Sequence, residues 1–304
     1  MATLVPTTLP RPLDLSVAST PTHRSGARSL FSSVAAEFYK LWKRPATWLL
    51  AALFALVIVL YNDVASSIAL QTISATDPER ASFQDVSLFK NFSGSALSVV
   101  ALLGGPIVLI LGALMSGSEY GWTTLKTVLT QGPGRLNIVG SKVITLAILT
   151  AGIVVLGWLA SAAGSLIVSF FQSSPVDLPS FSSLVNGLGA GWLIAMVWGT
   201  IGLALGLIFR TTTVPIGLGL IWGLALETII SALAGSVSIF ATIQDYLIGP
   251  NASALADAVG ATALGGGGGG GGTISTTHAL LVLGGYIVVL SGIAATLFKT
   301  RDLV

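Results

Sequence analysis

The residues able to do chemistry gather in two places. Between two long apolar runs, Ser116 to Lys142 carries Glu119, Tyr120, Arg135 and Lys142 among Gly121, Gly132, Pro133 and Gly134, while Glu227 stands alone inside another apolar run. An acid at hydrocarbon depth costs about 2.5–3.5 kcal/mol on insertion scales, so Glu227 requires compensation. Two readings stay open: a translocation path in which it meets a cationic or polar solute, or a structural role hydrogen-bonded to a neighbouring helix. Covalent chemistry finds little else to use. The chain has no cysteine, and its two histidines, His23 and His278, lie far apart in sequence, which leaves no thiolate nucleophile and no histidine metal cluster. Catalytic, cofactor-binding and metal-binding residues are each expected to be none. The glycine run Gly265 to Gly272 lacks the following Lys-Ser/Thr of a phosphate loop and reads as a linker.

The elements that hold these residues are helices of a membrane protein. Of 304 residues, 53% are hydrophobic and only 9% charged, whereas soluble domains are about 25% charged. The apolar residues fall into runs near the roughly 20 that a helix needs to cross hydrocarbon. Six spans are expected, at about Thr47 to Tyr61 (continuing toward Leu70), Leu97 to Met115, Val143 to Phe171, Gly187 to Phe209, Val214 to Leu233 and Ala279 to Phe298. The second contains Gly104-Gly105-Pro106, which predicts a kink. The fold class is all-α. Before the spans, residues 1–28 read as a disordered cytoplasmic tail, and residues 29–44 as an amphipathic interfacial helix. In that helix Leu30, Phe31, Val34, Phe38, Leu41 and Trp42 oppose Ser33, Glu37, Lys40 and Lys43. Residues 45–304 form the six-span domain, with an inner loop at 116–142 and long outer loops at 62–96 and 235–277. Within the last, Val237 to Ile248 is apolar but too short to span, and predicts interfacial or re-entrant helices.

Six spans place both termini on one side, and basic residues choose which. Of fourteen Lys and Arg, only Arg80 and Lys90 fall outside if the termini are cytoplasmic. Asp63, Asp77, Glu79, Asp85, Asp177, Asp245 and Asp257 then belong to the outer segments. Gly199-x-x-Gly202-x-x-x-Gly206 and Gly217-x-Gly219-x-x-x-Gly223 read as seams for close helix packing within one subunit. Trp48, Trp158, Trp192, Trp198 and Trp222 read as interfacial anchors or lipid contacts. A formal charge of +2 is too small for a nucleic-acid surface.

In the inner loop, Thr123 to Gln131 predicts a short helix with Leu125, Val128 and Leu129 on one face, closed by Gly132-Pro133-Gly134. Such a helix offers a docking face to a partner. The order Glu119, Gly121, Thr123, Leu125, Leu129, Pro133, Arg135, Lys142 resembles the first inner loop of the permease subunits of ABC-2 type ATP-binding-cassette transporters. It departs from them at Trp122, which separates the usual adjacent Gly-Thr. The resemblance implies a half-transporter of the bacterial cell membrane: a second permease chain, identical or related, two separate ATP-binding subunits that hold the ATP and Mg, and surrounding membrane lipid. It also implies that Glu119 through Arg135 couples the ATPase to the membrane part, and that transport is outward. No Walker A sequence is present, so the ATPase is expected on another chain. Two alternatives stay open, a polytopic intramembrane enzyme and a non-transporting sensor or scaffold coupled to an ATPase.

Overall fold

The computed structural model describes residues 26–74, 76–77, 79–121, 134–174, 176–261 and 274–300, and among these there is helix and no strand. The first helix, α1 (Gly26–Trp42), is cut from the next by Lys43, Arg44 and the proline that opens α2; proline is tolerated there because the first N–H of a helix has no partner to lose. Six helices are long and apolar enough to cross a membrane: α2 (Pro45–Thr72), α4 (Phe89–Tyr120), α5 (Arg135–Gln172), α6 (Phe181–Phe209), α7 (Thr213–Ala234) and α10 (Thr276–Thr300). Shorter helices α3 (Glu79–Ser87), α8 (Ser238–Gln244) and α9 (Ile248–Ala258) lie at the end of the bundle opposite α1. The end bearing α1 is called inner below, and the other outer.

The six expected spans are all present, and most run further than their apolar cores. With 38 residues, α5 is about 57 Å long, well beyond the hydrocarbon thickness. The first span, expected at about Thr47 to Tyr61 and continuing toward Leu70, runs to Thr72 through a π-helical turn at Leu60–Ala65. Much of the segment 62–96 is therefore helix continuing from the spans on either side, and Asp63 is not a loop residue. Asn62 and Asp63 are buried in that turn, although polar residues of this kind have the composition of a loop. Where a kink is expected at Gly104-Gly105-Pro106, the helix contains a π-helical turn, Val100–Gly104, that ends two residues before the proline. A third such turn, Ile221–Leu226, immediately precedes Glu227.

The centre of the bundle is α4 against α6, and glycine sets how closely they approach. A Cβ at Gly202 would fall 2.0 Å from the Leu109 carbonyl, and one at Gly112 2.0 Å from the Gly199 carbonyl. The glycine pattern of α6 is thus a seam within the subunit, as its spacing predicts. In α7, Gly219 meets Leu109 and Gly223 meets the Trp198 ring. Trp198 and Trp158 are each 4% exposed, so two of the five tryptophans expected at the lipid boundary are core residues instead; the indole of Trp158 donates to Ser93 Oγ at 3.1 Å. By contrast α7 and α10 leave most of their surface uncovered.

Candidate functional site at the inner end

Four charged side chains from three helices meet where α4 ends and α5 begins. Lys142, on α5, is fully buried; its Nζ donates to Glu119 Oε1 of α4 at 2.7 Å and to Glu37 Oε1 of α1 at 3.1 Å. Lys40, on α1, also pairs with Glu119, and it reaches Glu37 Oε2 at 2.7 Å. Two carboxylates and two ammonium groups thus cancel within one cluster. A buried lysine is tolerated only with such pairing, since an ion removed from water without a partner is strongly disfavoured. Burial alone would lower the Lys40 ammonium, but Glu119 and then Glu37 beside it outweigh that and hold it above its ordinary value of 10.5.

Local chemistry explains the arrival of each group. Glu37 and Lys40 share one face of α1, being three residues apart. That helix is fixed along the inner end of α5 by the Thr145 hydroxyl, which donates to the Val34 carbonyl at 3.4 Å, and by Leu41, 1% exposed. Arg44, at the junction of α1 and α2, donates to Ser118 Oγ at 2.9 Å and to the Leu114 carbonyl at 3.4 Å. The last turn of α4 is therefore held from two directions.

The structure brings together Glu119 and Lys142 from the inner-loop pattern. Tyr120 packs half-buried against the core, and Gly121 continues the last helical turn just past α4. Arg135 is the first residue of α5. Thr123, Leu125, Val128, Leu129 and Pro133 lie outside the described residues, as does the short helix expected there. Sequence reasoning missed Glu37 and Lys40, which it placed on a solvated face. The helix meets the bundle with part of each face: Glu37 and Lys40 enter the ion cluster and Leu41 the core, while Phe31 is 81% and Trp42 48% exposed. The signal that could have found them is a Glu and a Lys one turn apart, close to a buried Glu and Lys of matching charge.

Glu227, the other candidate, is 4% exposed, and protein donors occupy both its oxygens. Oε1 accepts from the Trp222 indole at 2.9 Å and from Ile248 N–H at 3.3 Å, and Oε2 accepts from Gly249 N–H at 2.7 Å. The carboxylate caps the N-terminus of α9, where free N–H groups and the helix dipole favour an anion. Gly249 allows the approach, as a Cβ there would stand 2.8 Å from Oε2. These bonds account for the buried acid without a solute.

Among the described residues no three His, Cys, Asp or Glu side chains gather as metal ligands. The ion pairs at the inner end join α1, α4 and α5. Residues 33–226 match the family model described as ABC-2 family transporter protein. No curated protein matches the chain.

Proposed function

We propose that this chain, which belongs to the ABC-2 transporter family, is the membrane permease of an exporter whose ATP-binding subunits are separate chains docking on residues 116–142. Its membership makes it a permease of an ABC transporter. One observation carries the finer reading: Glu37, Lys40, Glu119 and Lys142 tie α1 and the ends of α4 and α5 into one charged knot. That knot flanks the segment expected to meet the ATPase. Force applied to the segment reaches both spans and α1 together, because separating any one of them would leave a buried ion without its partner.

In this account ATP and Mg are held by two partner subunits, and two permease chains pair around the path. Leu125, Val128 and Leu129 form the docking face, and Arg135 meets acidic groups of the partner. The solute is amphipathic or hydrophobic, in keeping with the apolar residues that α7 and α10 leave uncovered. Affinity purification in mild detergent tests the assembly, with Leu125→Asp/Leu129→Asp as the comparison and co-purifying chains identified by mass spectrometry. An ATP-binding subunit recovered with the wild type and lost with the folded variant is the expected result. A folded wild type that retains no ATPase in any stabilising detergent would contradict the assignment.

A further inference from the structure

The π-helical turn of α2 carries a buried acid that the coupling account does not use. Asp63 is 3% exposed and its neighbour Asn62 2%. Asp63 Oδ1 accepts from Ser165 Oγ of α5 at 3.0 Å, whereas Oδ2 has no donor. The carboxylate is seated in a notch that only glycine provides: a Cβ at Gly164 would fall 2.1 Å from Oδ2. Nearby hydroxyls are spent on the backbone, Ser66 donating to the Asn62 carbonyl and Ser67 to the Asp63 carbonyl at 2.6 Å. The Asn62 amide Nδ2 and the Ser169 hydroxyl, the latter one turn beyond Ser165, are also buried without partners.

A carboxylate in such a place needs its charge balanced. The elements packed against the turn, α3, α5 and the start of α4, carry Glu79, Arg80, Asp85 and Lys90 near this end. Arg80 is bonded to the carbonyls of Leu70 and Ile73, at 2.7 and 2.8 Å. Among the described residues, no cation forms an ion pair with Asp63, whereas every acid of the inner knot has one. We propose that Asp63, Ser165 and the π-helical turn of α2 form a site for one small monovalent cation, a proton or a sodium ion, that neutralises the carboxylate. A single acid with hydroxyl oxygens around it suits a hard monovalent ion. Calcium takes six to eight oxygens, often from several carboxylates, and softer metals take imidazole or thiolate, none of which stands beside Asp63 among the described residues. Because the site joins α2 to α5, its occupancy governs how closely the two spans pack in the outer half of the bundle.

The test uses the purified full chain in lipid nanodiscs, with infrared spectra of its carboxyl groups and thermal unfolding recorded at neutral pH in choline and in sodium buffers. For a proton, the wild type shows a protonated-acid carbonyl band that Asp63→Asn lacks. For sodium, the wild type gains unfolding temperature with sodium, and Asp63→Asn loses that gain. An ionised Asp63 in choline buffer, combined with unfolding that ignores sodium, overturns the proposal. Should Asp63→Asn fail to fold, Ser165→Ala serves instead. Removal of the Ser165 donor must then shift the acid band or weaken the sodium effect at least tenfold in midpoint, and a variant indistinguishable from wild type in both overturns the site.

Discussion

The two ends of the bundle satisfy their buried charges by opposite means. At the inner end, two acids and two lysines from α1, α4 and α5 neutralise one another. At the outer end the acid of α7, Glu227, is met by an indole and two backbone N–H groups. The elbow between α8 and α9 that it grips is also held by hydrogen bonds to backbone carbonyls. His278 Nε2 lies 2.9 Å from the Asp245 carbonyl, Tyr286 donates to the Tyr246 carbonyl at 3.1 Å, and Asn251 donates to the carbonyls of Asp245 and Leu247. The lesson is one of reach. An ion cluster links elements distant in sequence, and its strength depends on the pairing of its charges. A capped helix depends on direction and distance, and responds to shape.

The largest effect is expected of Lys142→Met. It removes the buried cation that Glu37 and Glu119 share, and the expected cost is about 3–5 kcal/mol, as for other buried pairs stripped of one partner. Loss of abundance or of unfolding temperature in detergent checks it, and Lys142→Met/Glu119→Gln should recover part of that loss by restoring the balance of charge. At the outer end, Glu227→Leu strands the N–H groups of Ile248 and Gly249, for about 1–3 kcal/mol. Its effect is local: faster amide exchange across Ile248 to Ala258, with the inner knot unchanged. Glu227→Gln, which keeps an acceptor, should lose less. If instead it abolished transport with α9 still protected from exchange, Glu227 would belong to the solute path.

The smallest effect is that of pH. Because the folded-state value of Lys40 is raised, its stabilising contribution is fully present below the ordinary lysine value of 10.5 and is lost as pH rises through the folded one. Unfolding temperature should therefore fall in the alkaline limb above about 10.5, and Lys40→Met should flatten that limb.

The spans were legible because apolar runs of that length have one stable destination, and the α4–α6 seam because glycine spacing reports how closely two backbones pass. Glu119 and Lys142 were legible from the order of residues around the inner loop. Glu37 and Lys40 were not, since an amphipathic pattern says that a helix has two faces and not how much of each meets the protein. Asp63 was lost for a related reason, as polar residues inside a buried π-helical turn resemble the end of a span. The cap on α9 depends on Gly249 standing next to an acid 22 residues away in sequence, a proximity that only the fold creates.

If the inner knot transmits the partner's ATP cycle to the spans, Lys40 is the member to probe, because it is the most exposed of the four. The deciding measurement is solute transport per ATP hydrolysed by the permease reconstituted with its ATP-binding subunit, wild type against Lys40→Met. The expected result is a complex that still assembles and hydrolyses ATP while transport per ATP falls severalfold. Unchanged transport per ATP in an assembled Lys40→Met complex would contradict it.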